Sequence, residues 1–347
     1  MSQLHIALMP GDGIGPEVTD AAVCVLQALE AQSDDLVLQF ETLSVGAGEY
    51  LSSGDPLPAA TLERARACDA ILLGAMGLPD VRWPNGTEMA PQIDIREQLD
   101  LYQGIRPVRL YHEALTPLRD TRAGQIDLVI YRENTEGLFW ERQASHDPQA
   151  DYVENAMRIS RHSSERIVQA AFAAARERRG KVTLVDKANV LPAMAFFREV
   201  FDSIAAKHPD IETERVYVDA AALFLVRQPE QFDVIVTENM FGDILSDLAA
   251  GIVGGMGMAP SADIGDKYAV FQPAHGSAPD IAGRGMANPL ATILSAALML
   301  DWLGREAEGS TVRSTVVNAL QDPTCRTADL GGHMSCREMT ERVVSLL

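Results

Sequence analysis

Asp243 and Asp247 stand four apart in V-T-E-N-M-F-G-D-I-L-S-D-L, Val236 to Leu248, and on a helix that spacing stacks both carboxylates on one face. Two such carboxylates can share one hard divalent cation. The same spacing also suits a solvated helix face, so the pair takes its meaning from its neighbours. Phe232 to Val236, just ahead of it, reads as a buried strand, which sets the pair beyond a strand end, where open α/β sheets hold ligands. Lys187, in D-K-A-N-V-L, ends the apolar-rich segment Val182 to Val185 and precedes a helical pattern. A lysine held there among other charges has its pKa tuned for acid or base work. Asp219 closes the alternating segment Arg215-Val-Tyr-Val-Asp. Arg96 and Arg106 lie in I-R-E-Q-L-D-L-Y-Q-G-I-R, and Arg132 in V-I-Y-R-E-N-T-E-G. Three convergent guanidinium groups would suit a di- or tricarboxylate, whereas each arginine alone would be a surface residue.

Elements must hold these residues in place. Short apolar or β-branched runs, Ile6 to Met9, Ala70 to Leu73, Leu128 to Tyr131, Val182 to Val185 and Val234 to Val236, alternate with helical patterns, which predicts an α/β fold. Helices are predicted over Ser163 to Arg179, Leu191 to Lys207 and Pro289 to Leu303. The first strand runs into G-D-G-I-G-P-E. Its spacing is G-x-G-x-G and not the dinucleotide fingerprint, and Pro16-Glu17 suits the first turn of a helix, with proline early and an acid near the positive dipole end. No repeat or low-complexity linker marks a domain boundary.

At 347 residues and 47% apolar content the chain can bury a large core. Its 29 Lys and Arg against 49 Asp and Glu, a formal charge of −20, argue against nucleic acid or an anionic membrane as partner. An anionic substrate would need a local basic pocket, which the arginines can supply. Cys24, Cys68, Cys325 and Cys336 have no C-x-x-C spacing, so buried or inert thiols of a reducing compartment are expected. The N-terminus lacks a basic segment followed by an apolar stretch, and no apolar run approaches about 18 residues. A cytoplasmic protein is the expectation.

The strings G-D-G-I-G-P-E, R-E-N-T-E-G, D-K-A-N, N-M-F-G-D-I-L-S-D and H-G-S-A-P-D-I-A-G-R-G-M-A-N-P occur in this order, and through them the chain resembles the isocitrate/isopropylmalate dehydrogenase family of metal-dependent β-decarboxylating dehydrogenases along nearly its whole length. The resemblance implies a two-lobed fold with a large mixed sheet and no doubly wound Rossmann domain. Residues 1–101 plus 255–347 would form a discontinuous cofactor-binding lobe, and residues 102–254 a substrate, metal and dimerisation lobe.

It implies NAD-dependent oxidative decarboxylation of a (2R)-malate-type 2-hydroxy dicarboxylate, 3-isopropylmalate-like, to a 2-keto acid and CO2. Mg2+ or Mn2+ would be held by Asp219, Asp243 and Asp247. Arg96, Arg106 and Arg132 would orient the carboxylates, and Lys187 would help remove the hydroxyl proton. Lys187 and Asp219 would reach into the partner subunit's site, so the active unit would be at least a homodimer. The loop from His275 to Asn288, with Gly276, Ser277 and Ala278, would grip the adenosine end of the cofactor. Asp280 would face the ribose hydroxyls and repel a 2′-phosphate, which favours NAD over NADP.

Two positions depart from the family's pattern. Phe139 stands where the family usually has a proton-donating tyrosine. Gln92-Ile93 stands where isopropylmalate enzymes present two leucines to the isopropyl group, so D-malate or tartrate is an alternative substrate. A regulatory subunit that has lost catalysis is another alternative, set against by the retained Lys187, aspartates and arginines.

Overall fold

The computed structural model describes all of the chain except residues 1–2, 34, 120–125 and 143–148. In chain order its regular elements are β1 (Gln3–Gly11), α1 (Gly15–Glu30), β2 (Val37–Thr42), α2 (Ala47–Ser53), α3 (Ala59–Arg66), β3 (Ala70–Ala75), α4 (Pro91–Gln98), β4 (Gln103–Arg109), β5 (Asp127–Glu133), α5 (Arg161–Arg176), β6 (Lys181–Asp186), α6 (Pro192–Ala205), β7 (Glu212–Tyr217), α7 (Val218–Arg227), β8 (Val234–Thr237), α8 (Asn239–Gly251), β9 (Pro260–Ile264), β10 (Ala269–Pro273), α9 (Leu290–Trp302), α10 (Glu306–Gln321) and α11 (Cys336–Val344).

The ten strands of the described residues join one mixed sheet, in the order β2-β1-β3-β10-β9-β4-β5-β8-β6-β7. The four strands at one end and the four at the other are each mutually parallel. The switch of direction falls in the middle, where β9 is antiparallel to both β10 and β4, and β4 is antiparallel to β5. Parallel strands need crossovers that cover both faces with helices, and β3, β8 and β10 are accordingly buried along their whole length. The expected mixed α/β architecture is the one observed.

Local sequence explains the elements that bear on the site. Helix α8 starts where Glu238 caps it, its carboxylate accepting from Phe241 N at 2.6 Å and Met240 N at 3.1 Å, which satisfies amides that a helix start leaves free. Pro16 falls in the first turn of α1 with Glu17 beside it, as the sequence implied. The glycine-rich loop before α1 has a structural task centred on Asp12. Its buried carboxylate accepts from Ala47 N, Gly48 N and Gly77 N, each at 2.8 Å. Gly13 is left-handed (φ 59°), and a Cβ there would stand 2.0 Å from the Ser277 carbonyl oxygen. The loop therefore packs its backbone directly against the loop at 275–278, and Ile14 N donates to the same Ser277 oxygen at 2.8 Å.

Two expectations are adjusted. Asp219 does not close a strand: β7 ends at Tyr217, and Asp219 lies in the first turn of α7. The alanine-rich segment that follows favours helix and ends the extended backbone early. All four cysteines are free thiols, as expected, but Cys24 is exposed on α1 and only Cys325 and Cys336 are buried.

Candidate active site

The change of strand direction brings the arginines together. Asp263 on β9 pairs with Gly104 on β4, and Gly104 pairs with Arg132 on β5, so these three residues form one row across the sheet. Paired residues share a face, and Arg106, two residues beyond Gly104, shares it as well. Arg96 reaches the same place from α4. The result is a cleft of about 290 Å³ lined by Arg96, Arg106, Arg132, Gln92, Ile93, Phe139, Asp243 and Asp247, with Met76, Ser261, Gln272, His275 and Gly276 along its walls.

Each guanidinium is fixed by a buried polar partner. Arg96 Nε donates to Asp263 Oδ2 at 2.8 Å and Arg106 Nη2 to Asp263 Oδ1 at 3.0 Å, while Arg106 Nη1 donates to the Ala262 carbonyl at 3.2 Å. Arg132 lies against α8. Its Nε and Nη2 donate to Asn239 Oδ1 at 2.9 and 2.7 Å, and its Nη1 to Asp243. Asn239, Asp243 and Asp247 follow one another at intervals of four on α8, so one helix face first holds Arg132 and then presents two carboxylates to the cleft. Burial, together with the positive charge of Arg96, brings the Arg132 guanidinium down to about 10, still charged at neutral pH. Desolvation and the neighbouring Asp243 push the Asp247 carboxyl up.

Arg132 can cross α8 only because residue 242 is glycine, since a Cβ there would meet Arg132 Cγ at 2.6 Å and Cβ at 2.7 Å. Those atoms sit near the backbone and cannot swing away. Gly242→Ala is therefore expected to lower stability by about 1–3 kcal/mol, the usual cost of overpacking. Thermal melts with and without substrate check this: an unchanged melting temperature and unchanged substrate affinity would refute it.

Phe139 lies in the short 3₁₀ turn Leu138–Glu141 and stacks on Arg132, its ring centroid 5.6 Å from the guanidinium carbon. Among the described residues Gln92 Oε1 is buried without a hydrogen-bond partner. A second cavity of about 630 Å³, lined by Trp83, Thr87, Glu88, Asp94 and Arg142, shares Ile93 and Phe139 with the first.

The loop at 275–288 borders the cleft at one end. His275 Nδ1 lies 3.0 Å from the Gly276 carbonyl oxygen, while Nε2 is buried and unpartnered; burial holds its pKa down, so the ring is neutral. Ser277 is tied to the Gly77 carbonyl, and Ala278 adopts a left-handed conformation (φ 37°). Asp280 is exposed. The Asn288 side chain is buried and engaged at both ends: Oδ1 accepts from Leu290 N at 3.0 Å, and Nδ2 donates to Asp329 at 3.0 Å.

Lys187 and Asp219 are not brought to this cleft. They pair with each other, Lys187 just beyond β6 and Asp219 in the first turn of α7, the Lys187 ammonium holding the Asp219 carboxyl below the usual carboxylate range. Among the described residues no three His, Cys, Asp or Glu side chains of one chain are placed to hold a metal ion. One chain thus offers two oxygen-donor carboxylates, Asp243 and Asp247, of the kind that suits Mg2+ or Mn2+. Leu223, Val226 and Ile244 are 54%, 45% and 58% exposed, on the helices α7 and α8 that carry Asp219 and the Asp243–Asp247 pair.

Sequence reasoning missed Asp263, Asn239, Asn134 and Gln272, which hold the arginines and their carboxylate partner. The signal for Asp263 was present: P-S-A-D-I places an acid within a strand of small and apolar residues, where a charge is retained only with a partner.

Comparisons with known proteins place the chain in a family. A family model for isocitrate/isopropylmalate dehydrogenase matches residues 5–343. A 3-isopropylmalate dehydrogenase of Heyndrickxia coagulans is 43% identical over 358 residues, covering 99% of this chain and 97% of the relative. That of Aquifex aeolicus is 39% identical, covering 100% and 98%. Among solved structures, an isocitrate dehydrogenase from Methylococcus capsulatus aligns with a TM-score of 0.89 at 38% identity, covering 99% of each chain. The chain belongs to the isocitrate/isopropylmalate dehydrogenase family. It is accordingly an oxidoreductase, a decarboxylating dehydrogenase acting on a small molecule. Among the described residues no helix is long and apolar enough to cross a membrane.

Proposed function

We propose that this chain oxidises a (2R)-malate-type 2-hydroxy dicarboxylate with NAD and decarboxylates the product to a 2-keto acid and CO2. The observation that carries this reading is the convergence of Arg96, Arg106 and Arg132 on a cleft that also presents Asp243 and Asp247. The arginines bind and orient the carboxylates through fork-shaped, charge-assisted hydrogen bonds. Asp243 and Asp247, with Asp219 of a second copy, would hold Mg2+ or Mn2+, which when bound supplies Lewis-acid polarisation of the substrate's hydroxyl and carboxylate oxygens. Lys187 of that copy would help remove the hydroxyl proton, as the free amine or through water. The exposed apolar residues of α7 and α8 support a homodimer. We assign residues 1–101 plus 255–347 to cofactor binding and residues 102–254 to substrate, metal and dimer contacts.

His275, Gly276, Ser277, Ala278, Asp280 and Asn288 are assigned to the adenosine end of NAD. With Asp280 facing the ribose, NAD should be preferred over NADP by at least about tenfold in kcat/KM, or about 1.4 kcal/mol. The deciding assay follows NADH and NADPH formation from 3-isopropylmalate, D-malate, the tartrates and isocitrate with Mg2+ or Mn2+. Equal use of NAD and NADP would remove the Asp280 assignment, and absence of turnover with every acid would remove the function.

Two candidates for the 3-substituent stand side by side. The cavity beyond Ile93 and Phe139 gives an alkyl group room, as in 3-isopropylmalate. Gln92, whose buried Oε1 has no partner, favours a hydrogen-bond donor there, as in tartrate, because an unmatched buried acceptor is costly.

Phe139 cannot donate a proton, so protonation of the enol left by decarboxylation lacks a positioned acid at that place. Phe139→Tyr is expected to raise the steady-state rate, within the 10²–10⁴-fold typical of general acids where that step limits. In D2O, the product's C3 label should become stereospecific in the variant. Stereospecific labelling in both proteins with no rate gain would show that another group already gives this proton.

A further inference from the structure

Asp263 is fully buried on β9, and its two oxygens accept four hydrogen bonds. Oδ1 takes Arg106 Nη2 at 3.0 Å and Asn134 Nδ2 at 2.8 Å; Oδ2 takes Arg96 Nε at 2.8 Å and Gln272 Nε2 at 2.6 Å. That uses its acceptor capacity. Asp263 therefore has no lone pair to offer a ligand or a cation, and it acts on substrate only through the two arginines.

Its effect is on charge. Guanidinium groups remain protonated, so Arg96, Arg106 and Arg132 bring three positive charges to the cleft wall, and Asp263 cancels one of them at hydrogen-bond range. Arg96 is held through Nε, which leaves its terminal fork for a carboxylate. Asp243 and Asp247 add two negative charges to the cleft, which the divalent cation proposed above would balance; on the side toward the second cavity the lining is Gln92, Ile93 and Phe139, none of them cationic. Arg142, in the cavity beyond, is paired with Asp94 and Glu97. With that divalent cation in place, the three guanidinium charges less the Asp263 charge leave a match for a dianion. A trianion brings a further charge to a stretch of cleft that holds no unpaired cation among the described residues and approaches Asp94, and unmatched like charge is a strong means of rejecting a ligand.

We propose that Asp263 fixes the substrate as a dicarboxylate, by cancelling one guanidinium charge while holding Arg96 and Arg106 in place. The inference rests on the function proposed above and adds the residue that enforces the carboxylate count. It makes Asp263 a positioning and charge-setting residue.

Binding of 3-isopropylmalate, malate, tartrate and isocitrate to the full chain with Mg2+ tests this, by calorimetry and thermal shift, with steady-state rates alongside. Wild type should prefer its best dicarboxylate over isocitrate by more than about tenfold, and Asp263→Asn, which keeps the shape and loses the charge, should narrow that ratio by about tenfold or more. Asp263→Glu should keep the wild-type order of preference. A merely structural role would weaken all ligands in Asp263→Asn and leave the ratio where it was, which would overturn the inference. Wild type binding isocitrate as tightly as any dicarboxylate would overturn it too, and that comparison decides the matter if the asparagine variant does not fold. Failure of wild type to oxidise any of these acids would instead count against the proposed function.

Discussion

Lys187→Met and Asp243→Asn chains, each inactive alone, should recover about a quarter of wild-type activity when unfolded and refolded together in equal amounts, if each site of a two-fold dimer takes groups from both chains. Random pairing gives half heterodimers. In each of these, one site combines an intact Asp243 with an intact Lys187, and the other site carries both lesions. The expectation follows from an observed separation. Lys187 and Asp219 pair with each other on the flank of the chain, and neither lines the cleft that holds Asp243 and Asp247. Activity of the mixture, corrected for its dimer content by sedimentation, is the measurement. No recovery from a well-folded mixture would place all the chemistry within one chain and would remove the shared-site reading.

The second large effect concerns the carboxylates of α8. Asp243→Asn should lower kcat/KM by about 10³-fold or more, since metal-ion stabilisation of developing charge is worth several kcal/mol and each 1.36 kcal/mol is a decade in rate. Asp243 is also the partner of Arg132 Nη1 in this structure, so the substitution removes a cation ligand and loosens the arginine in one change. Thermal shift separates the two consequences. Wild type should gain melting temperature with Mn2+ and the variant should not. Substrate alone should stabilise both, because Asn239 still holds Arg132 through Nε and Nη2. Full wild-type activity in excess chelator would defeat the metal assignment outright.

Much of the framework could be read from the chain because its cues are local. Strand β8 follows from the apolar run Val234 to Val236 and lies within a residue of it, and the helix expected beyond that strand end to carry Asp243 and Asp247 is α8. Arg96, Arg106, Arg132, Asp243 and Asp247 were visible as charged residues beside such runs, and they do share one cleft. What could not be read was pairing across the sheet. Asp263 meets Arg96 across 167 residues and Asn239 meets Arg132 across 107, and no periodicity reports contacts of that separation. Asp12 was hidden for a related reason. The glycines around it invited only a comparison with the dinucleotide fingerprint, which their spacing does not fit, whereas its carboxylate ties down backbone amides at the start of α2 and beyond β3, much later in the chain. Asp219 was read as a strand end because Val216, Tyr217 and Val218 suit extended backbone as well as they suit the start of a helix.

The reversal of strand direction carries a mechanical consequence. Strands β9 and β4 meet over only three residue pairs, Gln103 with Ile264, Gly104 with Asp263 and Ile105 with Ala262, and this short ladder is where the two half-sheets join. Asp263 acts there as a rivet, drawing α4, β4, β10 and the turn after β5 onto one carboxylate. A substrate held by Arg96 and Arg132, as proposed above, would add a second fastening across the same join. Occupancy of the site would thereby be linked to stiffness of the whole sheet, since any ligand that binds only the joined state strengthens it by mass action.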